Sequence, residues 1–193
     1  AAAVLRIAQL LNPKTIISRN ELGNMIQTVF RNFADIAATP ADIALAGRTG
    51  QRTRVLPSVK VEARGMVKGA MEEIQAYRAG LPSARGPSRY GSGIFQNPWL
   101  RIPEDAVRLG LGVPDMAHFR GAYDQELYQQ ARVATLNSKL TGDGANEMFV
   151  GLLKTPTPEM QKRALAAAAY AIYEHPNVFS SIATRLKDAL NAG

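Results

Sequence analysis

Apolar residues recur three and four positions apart along most of this 193-residue chain, in segments separated by proline and glycine. That spacing places them on one face of an α-helix, whereas a β-strand requires alternation. The strand-like stretch at residues 55–61 is interrupted by Pro57. Aromatic residues are few, which also favours helices over a sandwich or barrel. The pattern therefore predicts an all-α fold of about seven to eight helices of mixed length.

The N-terminal third predicts three helices. The first follows Asn20, a suitable N-cap, and should end before Pro40. A short second helix should run from Pro40 to Gly47, with Thr39 as its cap. The buried face of the first helix is predicted to hold Leu22, Met25, Ile26, Val29, Phe30 and Phe33. The third helix follows Ser58, and its predicted buried face holds Val59, Ala63, Met66, Val67, Ala70, Met71 and Ile74.

Residues 81–103 hold four prolines, three glycines and three serines without any period, which is typical of a long loop. We expect a linker here, between an N-terminal helical segment at 1–80 and a C-terminal helical segment at 104–193. Phe95 and Trp99 lie within it, and we expect them to dock onto a helical core or a partner. Because the chain begins in helix-forming sequence without an initiator methionine, we also expect it to belong to a larger polypeptide.

The C-terminal segment predicts further helices. One begins at Pro114 and Asp115, and its apolar face holds Met116, Phe119, Tyr123, Leu127, Ala131 and Ala134. A helix at 145–153 should follow. The next should carry Leu165, Ala168, Ala169, Ile172 and Tyr173, and the last Phe179, Ile182, Leu186 and Leu190. The longest apolar run, residues 164–172, is about half of what a bilayer span needs, so no transmembrane helix is predicted.

The charge of the chain is concentrated in its middle. Residues 46–101 hold ten basic and three acidic side chains, and therefore account for the whole formal net charge of +7. Such a concentration indicates an anionic partner, which could be nucleic acid, anionic lipid or an acidic protein surface. The candidate contact residues are Arg48, Arg52, Arg54, Lys60, Arg64, Arg85 and Arg89.

Within this region the sequence GRTGQRTR at residues 47–54 has two interpretations. Three arginines on a glycine-containing loop could follow a phosphate backbone, without base stacking because the loop has no aromatic residue. The loop could equally be a solvated connection whose arginines pair with Asp42 and Glu62. The sequence leaves both interpretations open.

No residue pattern indicates an active site. The chain has no cysteine and no HExxH-type spacing, so neither a thiolate nucleophile nor a metal or other cofactor is predicted. Asp115 and His118 are one helical turn apart, which gives a helix-surface contact as readily as an acid/base pair. Glu147 could be the acid of a peptidoglycan-cleaving enzyme, but nothing around it resembles such a motif. We therefore expect a protein that is not an enzyme.

Four stretches, in order, resemble a segment of very large bacteriophage polypeptides. They are NELGNMIQTVFRNFADIAATPADIAL, GRTGQRTRVLPSVKVEARGMVKGAMEEIQ, VPDMAHFRGAYDQELYQQAR and TPTPEMQKRALAAAAYAIYEHPNVFSSIATRLKDALN. The features that carry the resemblance are the RTRxLP join at residues 52–57, the PDxxxFxxAYD pattern at 114–124 and the PxPEM ending with its later YxIY. These polypeptides include internal virion or DNA-ejection proteins and large polyvalent proteins, and the resemblance would extend over about residues 12–192.

The resemblance implies a helical module packaged in the virion and delivered through the tail to the host periplasm and inner membrane. Its partners would be copies of itself, other virion proteins and DNA or anionic lipid, and no small-molecule substrate is implied. An alternative function is a helical module that binds nucleic acid without sequence preference inside the host cell.

Overall fold

The computed structural model describes residues 22–81 and 108–172, and within these ranges helices and short connections are present without any strand, which confirms the predicted all-α class. Five α-helices are present in this part of the chain. They are α1 (Leu22–Thr49), α2 (Val59–Arg78), α3 (Val113–Asn137), α4 (Gly142–Lys154) and α5 (Pro158–Ala171), and a π-helical turn, Arg108–Gly112, leads into α3. Most of the predicted linker and the predicted last helix lie outside the described residues, so the total helix number stays a prediction.

Helix α1 is continuous through Pro40, so the prediction of two helices separated at this proline is wrong. Proline removes one backbone hydrogen bond, and the neighbouring residues stabilise the helix around it. The hydroxyl of Thr39 donates to the carbonyl of Asp35 at 2.7 Å. One turn further on, Asp42 is held by the chain segment that follows the helix. The helix ends just before Gly50, which has the positive φ of 70° that favours glycine.

The buried faces of α1 and α2 are the opposite of those predicted from apolar spacing. In α1 the buried residues are Asn24, Thr39 and Asp42, while the predicted apolar residues from Met25 to Phe33 are largely exposed. In α2 the buried residues are Glu62, Gly65, Gly69 and Glu73. The predicted face of α2 is correspondingly outside: Val59, Ala63, Val67 and Met71 are exposed, and Met66, Ala70 and Ile74 are half-buried. The prediction was wrong because inward polar groups of α1 and α2 bond across helices, as described below, and because glycine lets α2 approach its neighbour.

Helix α2 packs closely along α3, and this approach is possible because of Gly65 and Gly69 in α2 and Gly121 in α3. A methyl group added at Gly65 would lie 2.8 Å from the carbonyl oxygen of Arg120 and 2.9 Å from the Cα of Gly121. At Gly69 an added methyl group would overlap the carbonyl of Met116. Because all of these atoms belong to the α3 backbone, the two helices touch through their main chains.

The apolar core lies between α3, α4 and α5. Leu127 and Ala131 of α3 pack with Met160 and Ala164 of α5, next to Phe149 of α4. A second cluster joins Ala122 to Ala168 and Ala171. The helix predicted to begin at Pro114 is therefore confirmed, with Met116, Leu127 and Ala131 buried as expected. In α5 Ala168 and Ile172 are buried as predicted, but Leu165 is 51% exposed and does not belong to the core.

Candidate functional site

The loop after α1 is organised around the carboxylate of Asp42. Arg52 Nε donates to Asp42 Oδ2 at 2.7 Å, and the backbone N–H of Thr53 donates to Oδ1 at 2.9 Å, with the Thr53 hydroxyl as a further donor. The Thr53 hydroxyl, together with Arg52, lowers the pKa of Asp42 well below its ordinary value, although burial opposes this. Asn137 of α3 holds the same loop through both backbone polar groups of Arg52, at 2.7 and 2.9 Å.

Arg54 is also paired within the chain. Its guanidinium donates to Asp35 Oδ1 at 2.8 Å, and the other oxygen of that carboxylate accepts from Gln129 Nε2 at 3.0 Å. Two of the three arginines in the sequence GRTGQRTR therefore hold the loop against α1 and α3. This geometry favours the structural interpretation of Arg52 and Arg54, with Asp35 in the place where the sequence suggested Glu62.

Three other candidate contact residues point to solvent. Arg48, Lys60 and Arg64 are exposed, and within the described part of the chain they form no ion pair. Lys60 and Arg64 are four residues apart on α2, one turn of the helix, so they form a short basic row. The remaining candidates, Arg85 and Arg89, and the docking residues Phe95 and Trp99 lie outside the described residues.

Of the three polar residues considered for catalysis, Asp115 and His118 contact side chains of another helix. Asn24 of α1 donates to Asp115 Oδ1 at 3.0 Å, and the Thr28 hydroxyl lies 3.4 Å from His118 Nδ1. These contacts explain why Asp115 and His118 are buried in the interface between α1 and α3. Glu147 is an exposed residue of α4.

Glu62 of α2 forms the second polar connection to α1. It accepts a hydrogen bond from Asn32 Nδ2 at 2.6 Å and forms an ion pair with Arg31. Glu62 is only 5% exposed, so its carboxylate is paired with the guanidinium of Arg31 at a position that water hardly reaches. This pair and the Asn24 and Thr28 contacts explain how a helix with a polar inner face is held.

A groove of about 690 Å³ opens between the segment after α1 and helices α3, α4 and α5. Three arginines and three acids line it, and each arginine already has a partner: Arg54 pairs with Asp35, Arg163 with Glu159 at 2.8 Å, and Arg31 with Glu62. Burial raises the pKa of Glu126, which also lines the groove. A groove with balanced, internally paired charges offers little to an anionic ligand.

Among the described residues, one face of α1 has a series of exposed apolar side chains that the sequence predicted to be buried. We call it the α1 outer face, and it comprises Met25, Ile26, Val29, Phe30, Phe33, Ile36, Ala37, Pro40, Ala41, Ile43, Ala44 and Leu45, all exposed. Its eight large side chains are between 47% and 71% exposed. The charged side chains of the same stretch, Arg31, Asp35 and Asp42, are at most 20% exposed. Residues 25–47 therefore present no exposed charged residue.

A signal for this orientation does exist in the sequence. Asn24, Thr28, Arg31, Asp35 and Asp42 recur at spacings of three, four and seven, so the polar residues form a face as regular as the apolar one. Periodicity shows that the two faces differ, but it does not show which one meets the rest of the same chain.

Two further searches of the described residues were negative. No group of three or more histidine, aspartate or glutamate side chains is placed to hold a metal ion. None of the described helices is both long enough and apolar enough to cross a membrane.

Comparison with known proteins adds no relative. Neither protein-family models nor curated proteins nor solved structures gave a match to this chain.

Proposed function

We propose that this chain is a non-enzymatic structural component of a bacteriophage virion, a segment of an internal or ejection protein that helps to deliver the genome across the host envelope. The observation that carries the proposal is the α1 outer face. A helix that turns its charges inward and its apolar side chains outward is built to be covered when the protein is assembled.

The size of this surface supports an assembly role. Taking roughly 150 to 200 Å² for each large side chain, the eight of the α1 outer face together expose on the order of 800 Å². The largest apolar patch on a typical monomer is about 300 to 600 Å². The α1 outer face therefore exceeds what an isolated soluble domain usually exposes.

The resemblance to large phage polypeptides supplies the biological setting. A protein ejected through a tail must unfold and refold, and helices without disulfides are compatible with this history. The proposed partners are further copies of the chain and other virion proteins. The proposed location is the virion, and after ejection the host periplasm and inner membrane.

The test is quantitative mass spectrometry of purified phage particles before and after triggered genome release. Peptides of this chain should be present in full particles and depleted from emptied ones. In addition, a Phe33→Glu variant should be incorporated poorly, while Val67→Glu, a charge at an equally exposed site on α2, should be incorporated normally. Absence of the peptides from full particles would refute a virion role.

The alternative function is binding of nucleic acid without sequence preference. It is supported by Arg48, Lys60 and Arg64, three candidate contact residues that are exposed and form no ion pair in the described structure. A chain with this function would bind DNA with an affinity that falls steeply with salt, and would not need the α1 outer face for its location.

A further inference from the structure

We infer that the α1 outer face is covered by a second copy of this chain, with the two α1 helices packed antiparallel about a two-fold axis. This inference rests on the proposed function, because it names the first partner of the proposed assembly surface. It is based on how large and small residues are distributed along the helix.

The middle of the α1 outer face follows the spacing of a coiled-coil seam. Its residues alternate in steps of four and three, which keeps them in line on an α-helix. They are Ile26, Phe30, Phe33, Ala37, Pro40 and Ala44. All six are exposed, and the seam is bulky in its N-terminal half and small in its C-terminal half. The N-terminal half of this seam therefore has large side chains, and the C-terminal half has small residues against which large side chains can pack.

An antiparallel pair centred on position 35 matches these halves. Phe33 then lies opposite Ala37, Phe30 opposite Pro40, and Ile26 opposite Ala44. Each bulky side chain meets a small one, so the two helices can keep a constant separation of about 8 to 10 Å. In a parallel pair Phe30 would instead meet Phe30 and Ala44 would meet Ala44, which separates the helices at one end and leaves space at the other.

The area and the charge also fit a second copy. One partner of a standard interface contributes about 800 Å², which is the order of area that the large side chains of the α1 outer face expose. Two chains that each have a net charge of +7 repel one another, and an uncharged contact surface keeps like charges away from the interface. The α1 outer face provides one. Position 35 is also the middle of α1 (Leu22–Thr49), so an antiparallel pair overlaps over its whole length.

The first experiment measures the association of the full chain by sedimentation at several concentrations. We expect a reversible dimer. Phe33→Glu places two carboxylates next to the two-fold axis and should raise the dissociation constant by about 30-fold or more. Phe33 is 71% exposed, so this variant should fold. Val67→Glu is the matched control, because Val67 is 61% exposed on α2, and its dissociation constant should equal that of the unmodified chain.

The second experiment determines the orientation of the two helices. The sequence has no cysteine, so each introduced thiol is unique. Under mild oxidation a mixture of Ile26→Cys and Ala44→Cys chains, one of them carrying a mass tag, should form a disulfide between the two variants. Neither variant should link to itself, since the two copies of position 26 would be about 27 Å apart along the helices, far beyond disulfide reach. Self-linked single variants would overturn the antiparallel arrangement.

The failure of this inference and the failure of the proposed function give different results. The chain could be monomeric at every concentration while its Phe33→Glu variant is not incorporated into particles. This result would refute the inferred dimer but would still support the proposed role in the virion. If such a monomer also binds lipid vesicles through Phe33, lipid replaces the second copy as the occupant. A dimer whose Phe33→Glu variant dissociates but is incorporated normally supports the inference and refutes the proposed use of this face in assembly.

Discussion

The contact between α2 and α3 can be tested by adding a single methyl group. In a Gly65→Ala variant the new Cβ would lie 2.8 Å from the carbonyl oxygen of Arg120 and 2.9 Å from the Cα of Gly121. An ordinary contact requires several tenths of an ångström more. Both atoms are backbone, so no side chain can rotate away, and the helices themselves must separate.

The expected magnitude follows from two opposing effects. Overpacking of this kind lowers the free energy of unfolding by about 1 to 3 kcal/mol. Replacing glycine with alanine inside a helix raises it by about 1 kcal/mol, because alanine is the better helix former. We expect Gly65→Ala to lower the free energy of unfolding by about 1 kcal/mol. Gly69→Ala should lower it by about 2 kcal/mol, since its methyl group overlaps the Met116 carbonyl more severely.

Gly151 provides the matched control. It lies inside α4, and a methyl group added there would meet nothing within 4 Å. Gly151→Ala should therefore raise stability by about 0.5 to 1 kcal/mol through helix propensity alone.

Thermal unfolding followed by circular dichroism separates these cases, because 1 kcal/mol shifts Tm by about 2 to 4 °C in a protein of this size. The order of Tm should be Gly151→Ala, unmodified chain, Gly65→Ala and Gly69→Ala, from highest to lowest. If Gly65→Ala and Gly69→Ala are as stable as Gly151→Ala, then α2 and α3 do not touch through their backbones.

Three further predictions concern the polar and basic residues. Asp42→Asn should lower the free energy of unfolding by roughly 2 kcal/mol at pH 7, because charged hydrogen bonds are lost, and denaturant titration measures this. Since the pKa of Asp42 is depressed in the folded state, its stabilisation is present above the ordinary value of 3.8 and is lost as the pH falls towards the folded pKa. The difference in stability between the unmodified chain and Asp42→Asn should therefore shrink as the pH falls below about 4, and a constant difference would contradict this assignment. If the chain binds DNA, replacing Arg48, Lys60 and Arg64 with glutamine should flatten the dependence of affinity on salt, whereas Arg52→Gln should mainly lower stability, as binding and unfolding titrations would show.

The sequence predicted the helical class and most helix positions in the C-terminal half, because there the apolar spacing and the caps agree. The helix from Pro114 has its predicted buried residues, and Thr157 caps α5 by accepting from the N–H of Met160 at 3.2 Å. Pro40 gave the wrong boundary. The bonds that hold α1 together around it come partly from Arg52 and Thr53, and no local pattern shows that these residues return to the helix.

The basic loop could be placed by sequence but not interpreted. Arg52 and Arg54 pair with Asp42 and Asp35, which are 10 and 19 positions earlier in the chain. Asp42 was one of the two acids named as a possible partner, whereas Asp35, on the other side of Pro40, was not. With Arg52 and Arg54 paired in this way, the basic residues of this loop and α2 that form no ion pair in the described structure are Arg48, Lys60, Arg64 and Arg78.

The reversed faces of α1 and α2 show that identifying an apolar face and knowing what covers that face are two different questions. Spacing identifies an apolar face, and the hydrophobic effect requires that such a face be removed from water, but neither specifies that the same chain covers it. In α2 the glycines permit a backbone contact that no apolar side chain could make. In α1 the polar face is bonded to Asp115, His118 and Glu62, so within the described residues it is the polar face that holds the helix in place. The apolar face is then available to another molecule, and its division into a bulky and a small half makes a second α1 helix the partner that fits it.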